Sequence, residues 1–296
     1  MDTLDLANRM KEYEKRNQYY LQKRTPVAIR VDGRSFHTFT RGFKRPFDDI
    51  FMKSMQETAK YMCENMGNAK LAYVQSDEIT IILTDYDTLE TDCWFNYRTD
   101  KLCSISASMA TMAFNKYFTK NVKDFSKSRD VVGYSGQYFG DYEDAIIQLA
   151  IYEKAVEKGA MFDARCFNIP KEEVTNLIYW RQLDATRNSI QMVGQANFSH
   201  KELQNKTCNM IQDMLHEQRG INWNDLPIYQ KRGSCCIKEE YAVNNNGEEV
   251  EIDCVTDIDE SVENVTFRSR WIIDKEMPIL KGEDRAYVDD LVYIGE

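Results

Sequence analysis

The alternation of short apolar runs with longer amphipathic ones restricts this chain more than any other feature. After Pro26 comes Val27-Ala28-Ile29-Arg30-Val31, and Asp32-Gly33-Arg34 ends it. Residues 47–66 place Ile50, Phe51, Met55, Ala59 and Met62 on one helical face, and Gly67-Asn68 stops that helix. Residues 71–74 and 79–83 are strand-like, with only Gln75-Ser76-Asp77-Glu78 between them, which makes a hairpin with two acids at its tip. Residues 94–118, rich in Ala, Ser and Met, read as a long helix, and residues 161–169 alternate like a strand before Pro170. Strand, helix, strand, strand, helix, strand suits an α+β domain whose antiparallel sheet carries helices on one face. It does not suit a doubly wound parallel sheet.

The remaining segments fill in around that frame. Residues 5–23 carry Leu6, Met10, Tyr13 and Tyr20 near helical spacing. Residues 119–142 read as a Gly- and Ser-containing loop, 143–158 as a short helix and 172–192 as a longer one. Ser199 with Glu202 is a capping-box pattern that opens a helix to about residue 217. Residues 234–243 and 249–255 flank Asn244-Asn245-Asn246-Gly247, a good hairpin turn. With five prolines and no repeat, linkers are few. The expected organisation is a catalytic domain begun by residues 1–142 and completed by 143–238, followed by an acidic, β-rich extension, 239–296.

Charge bears on the partner. The formal charge is 38 − 48 = −10. From Glu239 onward there are 17 acids and 5 bases, which leaves 31 acids and 33 bases in the first 238 residues. A net −10 argues against nucleic acid as a partner, whereas a near-neutral body does not. The extension is therefore expected to face away from any RNA, to pack at a subunit interface, or to be a solvated appendage. No apolar run reaches membrane-spanning length, and the N-terminus lacks a signal-peptide core. Eight scattered cysteines, none spaced C-x-x-C, read as reduced thiols in a cytoplasmic protein with no membrane partner. Phosphate-loop, dinucleotide, zinc-protease and nucleophile-elbow motifs are absent, which weakens ATPase, dehydrogenase, metalloprotease and hydrolase readings.

Chemistry concentrates where strands run into acids. Asp32 ends the first strand, and Asp77 and Glu78 tip the hairpin. Pairing of those strands would converge the carboxylates at one edge, where their repulsion calls for a divalent cation. Oxygen ligands and only three histidines point to Mg²⁺ rather than zinc, with two ions forming a nucleotidyl-transfer site. Gly33 allows close approach of a phosphate or metal. Asp-Gly and Ser-Asp-Glu are equally ordinary turn sequences. Arg30, Arg34, Arg41, Lys44 and Arg45 suit a triphosphate, or simply a solvated basic loop. A lone histidine such as His37 is more commonly structural than catalytic. Arg98 and Lys101 share a helical face. Trp180-Arg181-Gln182 combines a flat ring, a cation and an amide, enough to hold a base or to mark a helix–core boundary.

Arg30-Val31-Asp32-Gly33-Arg34-Ser35-Phe36-His37 followed by Tyr73-Val74-Gln75-Ser76-Asp77-Glu78 resembles the tRNA(His) guanylyltransferase family of 3′-to-5′ nucleotide-adding enzymes. Arg45-Pro46-Phe47-Asp48, Phe162-Asp163-Ala164-Arg165, Trp180-Arg181-Gln182 and Lys231-Arg232-Gly233 match in order and spacing, so the likeness covers roughly residues 5–238. It implies a polymerase-palm-like, ferredoxin-like sheet and a homotetramer, a dimer of dimers. It implies catalytic Asp32, Asp77 and Glu78, with Asp32, Asp77 and the Gly33 carbonyl as ligands of two Mg²⁺ ions. Gly33, Arg34, Ser35, Phe36 and His37 would line a nucleotide's triphosphate, helped by Arg45 and Ser76, while Arg98 and Lys101 would serve a second nucleotide. Arg30, Trp180, Arg181, Gln182 and Asn188 would touch tRNA. ATP would transfer AMP to a 5′-monophosphate, and the 3′-hydroxyl of GTP or another NTP would then displace it.

One departure narrows this reading. Strict guanosine-adding members follow Trp-Arg-Gln with a His-Ile-Asn-Asn-Leu-Tyr-Asn segment. Here the stretch is Thr186-Arg187-Asn188-Ser189-Ile190-Gln191-Met192, where only Asn188 agrees. The chain therefore resembles the guanylyltransferase-like branch, associated with template-directed repair of 5′-truncated tRNA. Non-templated guanosine addition to tRNA(His), a palm-like nucleotide cyclase and an inactive RNA-binding scaffold are the alternatives.

Overall fold

A computed structural model describes residues 3–132, 139–244, 246–250 and 265–294. The strands are β1 (Val27–Gly33), β2 (Ala69–Gln75), β3 (Glu78–Leu83), β4 (Phe162–Asn168), β5 (Ser234–Val243), β6 (Glu249–Val250) and β7 (Thr266–Asp274). The helices are α1 (Thr3–Lys15), α2 (Phe36–Phe39), α3 (Asp49–Asn65), α4 (Thr99–Val132), α5 (Phe139–Lys158), α6 (Lys171–Asn197), α7 (His200–Leu203), α8 (Cys208–Arg219), α9 (Ile228–Arg232) and α10 (Ala286–Val292). The sheet runs β4-β1-β3-β2-β5-β6, with β7 also on β5, and every pairing is antiparallel. The first four strands and their crossover helices make the β-α-β-β-α-β arrangement of a ferredoxin-like sheet, as the α+β expectation holds.

Both faces of this sheet are covered, where helices on one face were expected. Val27, Ile29 and Val31 turn to a core shared with Met55 and Met62 of α3 and Phe114 and Phe118 of α4. Ala28, Leu71, Tyr73 and Ile82 turn the other way, onto Val174 and Ile178 of α6 and Val288 and Val292 of α10. Strands covered on both sides read as near-continuous apolar runs, and β1 does over Val27–Val31 with Arg30 as the interruption. The three expected segments share one sheet, since β4 pairs with β1 and the 238/239 division falls inside β5.

Several boundaries differ from the sequence reading. Helix α4 continues to Val132 through the expected loop, because Phe118 and Phe125 extend its apolar seam against Tyr152, at ring centroids of 6.2 and 5.6 Å. Residues 133–138 of that loop lie outside the described residues. Before α4, a 3₁₀ turn at Trp94–Tyr97 holds Phe95 and Asn96 at φ 48 and 53, so the regular helix starts at Thr99. The Ser199–Glu202 capping box is present but opens a single turn, and α8 restarts on its own cap, Thr207. Of the strand expected at 249–255, only Glu249–Val250 is described. The acidic extension is not β alone. It closes with α10, where Thr175 of α6 donates to Asp289 Oδ1 at 2.5 Å.

Candidate active site

Sheet register fixes the acids. Asp32 pairs with Glu78 on one side and with Asp163 on the other. The Gly33 amide donates to the Asp77 carbonyl at 3.0 Å, so the end of β1 and the β2–β3 turn are held side by side. Ser76 takes φ 47 in that turn. Gly33 is dictated by packing: a Cβ there would lie 2.3 Å from the Phe36 ring. That ring sits among Phe39, Phe51, Phe114 and Phe162 at centroid distances of 5.0 to 5.9 Å, and it anchors α2 under the loop.

The three acids are electrostatically unequal. Glu78 is neutralised: Arg181 Nε lies 2.7 Å from Oε1, and Arg30 Nε 3.9 Å from Oε2. Arg181 also meets Asp184 at 2.8 Å, and Arg187 holds the far oxygen of Asp184 at 2.5 Å. Among the described residues Asp32 has only half-exposed Arg165, at 3.5 Å. Asp77 has no ion pair among the described residues. Burial first, and then the charges of Asp32 and Glu78, push its carboxyl from 3.8 up to about 6, against lowering hydrogen bonds from its own amide and Ser76. Two neighbouring carboxylates with surplus negative charge fit a hard divalent cation. Among the described residues no three His, Cys, Asp or Glu side chains surround one point. A cation held by Asp32 and Asp77 would therefore need backbone, water or phosphate oxygens to complete its shell.

A cavity of about 540 Å³ opens beside Asp77, lined also by Gly33, Ser35, His37, Arg45 and Ser76. Lys44, Thr40, Met192 and Gln195 also line it. Sequence reasoning had placed Lys44 only in a basic cluster and had missed Thr40, Met192 and Gln195. The α6 residues lie more than a hundred positions away, and no local signal joins them to the loop. Asp48 stands at the cavity wall fully satisfied, capping α3 by accepting from Phe51 N and accepting also from Lys44 N and the Tyr152 hydroxyl, at 2.6 to 3.0 Å.

Other expected site residues fall elsewhere. Arg34 is exposed and its amide is spent on the Met161 carbonyl, at 2.9 Å. Phe36 lines the larger cavity, but its side chain belongs to the aromatic core and its carbonyl accepts from the Thr40 amide and hydroxyl. Arg98 pairs with Asp100 at 2.8 Å, and Lys101 sits over the Phe95 ring at 5.5 Å. They flank Thr99, the first residue of α4, which meets Cys166, whereas Phe162, at the carboxylate end of β4, meets Thr111. These two residues thus lie apart from the acids. Trp180 is half-exposed, with the Arg181 and Arg30 guanidinium carbons 4.4 and 5.9 Å from its ring centroid. Gln182 is 1% exposed, its Nε2 donating to Pro278 O and its Oε1 accepting from Leu280 N. Both amide atoms are committed to the extension, so Gln182 fastens α6 to residues 278–280. Asn188 lines a smaller neighbouring cavity. No described residue of the extension lines either cavity.

Comparison with known proteins gives this geometry a context. The profile of the tRNAHis guanylyltransferase family matches residues 7–170. A bacterial tRNA(HIS) guanylyltransferase (Thg1)-like protein solved with ATP is 38% identical, with a TM-score of 0.73 over 98% of this chain and all of that one. A GTP complex of such a protein, also 38% identical over the same shares, gives 0.69. The tRNA(His) guanylyltransferase of Saccharomyces cerevisiae is 28% identical over 80% of this chain and 90% of its own length. No helix among the described residues is long and apolar enough to cross a membrane.

Proposed function

This chain belongs to the tRNAHis guanylyltransferase family and is a nucleotidyltransferase acting on tRNA, and from that premise we propose that it extends tRNA 5′ ends in the 3′-to-5′ direction to repair truncated ends against the opposing strand. The observation that carries this reading is the juxtaposition of Asp32 and Asp77, surplus in charge, beside a cavity of nucleotide size. ATP and GTP complexes of the 38% identical proteins support nucleoside triphosphates as its substrates. The divergence at 186–192 from the guanosine-adding segment supports templated repair over guanosine addition to tRNA(His).

The reaction balances in two steps. A 5′-monophosphate oxygen attacks the α-phosphorus of ATP and expels pyrophosphate. The incoming nucleotide's 3′-hydroxyl then attacks the activated 5′-phosphorus and expels AMP. Asp32, Asp77 and the Gly33 carbonyl would hold Mg²⁺, which supplies charge neutralisation on phosphorus and a more acidic hydroxyl. Lys44 and Arg45 hold phosphate charge from the cavity rim. Glu78 acts as the partly buried anion that fixes Arg30 and Arg181, and so orients Trp180 toward the RNA. Work in the cytoplasm as a homotetramer is part of the same proposal.

Two truncated tRNAs that differ only in the base opposite the gap test it, each given ATP and all four NTPs. Incorporation should follow the opposing base. Guanosine incorporation whatever base stands opposite would establish the guanosine-adding activity instead. Turnover of NTP to a cyclic product without RNA would point to a cyclase.

A further inference from the structure

The loop that carries Lys44 and Arg45 to the larger cavity is held from behind, by a helix none of whose described residues lines that cavity. Thr40, Phe43, Lys44, Arg45 and Asp48 border the cavity, and their other side rests on α5. Gln148 Nε2 donates to the Gly42 carbonyl at 3.3 Å. Gly42 takes φ 87, and a Cβ there would come within 3.2 Å of Ile151. One turn along α5 from Gln148 stands Tyr152, whose hydroxyl donates to Asp48 Oδ2 at 2.6 Å. The same oxygen accepts from the Lys44 amide at 3.0 Å. Tyr152 is 1% and Asp48 5% exposed, so water is a poor substitute for either partner.

The two oxygens of Asp48 divide their work. Oδ1 caps α3 by accepting from Phe51 N at 2.9 Å. Oδ2 is where α5 meets the backbone of Lys44. The rings continue the same support. Phe43 packs edge-on against Tyr152 at a centroid distance of 5.1 Å, Phe125 lies 5.6 Å from Tyr152, and Lys44 Nζ sits 6.0 Å from the Phe125 centroid. One seam between α4 and α5 therefore sets both the amide and the ammonium of Lys44. Burial first, and then the bond to Asp48, hold the Tyr152 hydroxyl well above the usual phenol range, so it remains a donor at neutral pH.

We propose that Tyr152 is a positioning residue for triphosphate binding: through Asp48 Oδ2 it fixes the Lys44 backbone, and so places the Lys44 ammonium against phosphates in the cavity. The inference rests on the reading of that cavity as a nucleoside-triphosphate site, and it adds a residue that stands outside the cavity on a separate helix. Tyr152→Phe keeps the ring and removes the hydroxyl. Asp48 Oδ2 is then one donor short in a place that water scarcely reaches, and the loop gains a reason to leave its seat.

The test titrates the full chain with ATP and Mg²⁺, without RNA, by calorimetry. Apparent affinity falls in proportion to the fraction of molecules whose loop is in place, and a loop seated about 10–20% of the time binds about five- to tenfold more weakly. That loss is expected for Tyr152→Phe. The deciding readout is a double-mutant cycle with Lys44→Ala. If the hydroxyl acts through the ammonium, Tyr152→Phe should weaken binding by about twofold or less once Lys44 is alanine. A merely structural role lowers the melting temperature and leaves the affinity of the folded protein, and this coupling, unmoved. Equal losses from Tyr152→Phe in both backgrounds overturn the proposal, as does wild-type affinity in a folded Tyr152→Phe. Wild type supplies a second measurement should that variant fail to fold. ATP should slow amide exchange over residues 43–48, and unchanged exchange there overturns the proposal on its own. ATP binding that needs Lys44 but not the Tyr152 hydroxyl sinks this inference and spares the triphosphate reading, whereas wild-type protein that binds no ATP sinks both.

Discussion

Substituting Asp77 by Asn should stabilise the metal-free protein while it abolishes nucleotide addition. Burial and the neighbouring acids raise the Asp77 carboxyl from 3.8 to about 6. The folded state therefore holds this proton more tightly than the unfolded state does. As pH rises from about 4 to about 6 the unfolded chain ionises first, and stability falls across that window. Above it the full penalty is present. A displacement of about two pH units corresponds to ~3 kcal/mol at most. Asp77 keeps partial contact with water, and screening reduces the figure to about 1–2 kcal/mol. At 2–4 °C per kcal/mol for a protein somewhat smaller than this one, the melting temperature of Asp77→Asn in chelator at pH 7.5 should rise by about 2–6 °C. At pH 4.5 the gain should shrink, since wild-type Asp77 is then protonated. Added Mg²⁺ should stabilise wild type alone. Thermal melts at both pH values, with and without Mg²⁺, decide the matter. A variant less stable than wild type by the same amount at pH 4.5 and 7.5 would refute this account of the site's electrostatics.

Other perturbations follow from the same contacts. Arg181→Ala leaves Glu78 and Asp184 without their buried partner, and urea titration should show a loss of about 3–5 kcal/mol. Gly33→Ala forces a methyl group into the Phe36 ring and should cost about 1–3 kcal/mol by the same measurement. Gln182→Leu removes both bonds to residues 278–280, so hydrogen exchange across 277–292 should accelerate while β1 and β3 stay protected. Arg98→Ala with Lys101→Ala should leave the affinity for a single nucleoside triphosphate, titrated without RNA, within about twofold, because these residues lie apart from the cavity.

The frame of the fold was legible because its signals are local. Apolar runs, one hairpin and two long amphipathic stretches order β1 through β4 with little ambiguity. Asp32 and Asp77 were legible for the same reason, since strand-forming residues lead straight into each. What escaped depended on distance or on competing local signals. Gln182 finds its partners 96 and 98 positions on, so an amide beside Trp180 and Arg181 looked like part of an RNA-reading triplet. Glu78 looked equivalent to Asp77 until Arg30 and Arg181 were seen to neutralise it. The overrun of α4 was hidden because small and polar residues between 119 and 142 outweighed the Phe118, Val122 and Phe125 period. Cover on both faces was foreshadowed by the apolar run in β1, interrupted at Arg30, yet the covering helix α10 lies in the most acidic part of the chain, where a buried helix is least expected.

The extension's seat beneath α6 has a practical consequence for anyone trimming this protein. The family profile ends at residue 170, and a minimal fragment cut there would look reasonable on paper. Such a fragment would lose both helices that roof Ala28, Leu71, Tyr73 and Ile82, and a greasy underside would meet water. It should clump in the tube rather than report on catalysis, so a dead fragment would say nothing about which residues do the chemistry.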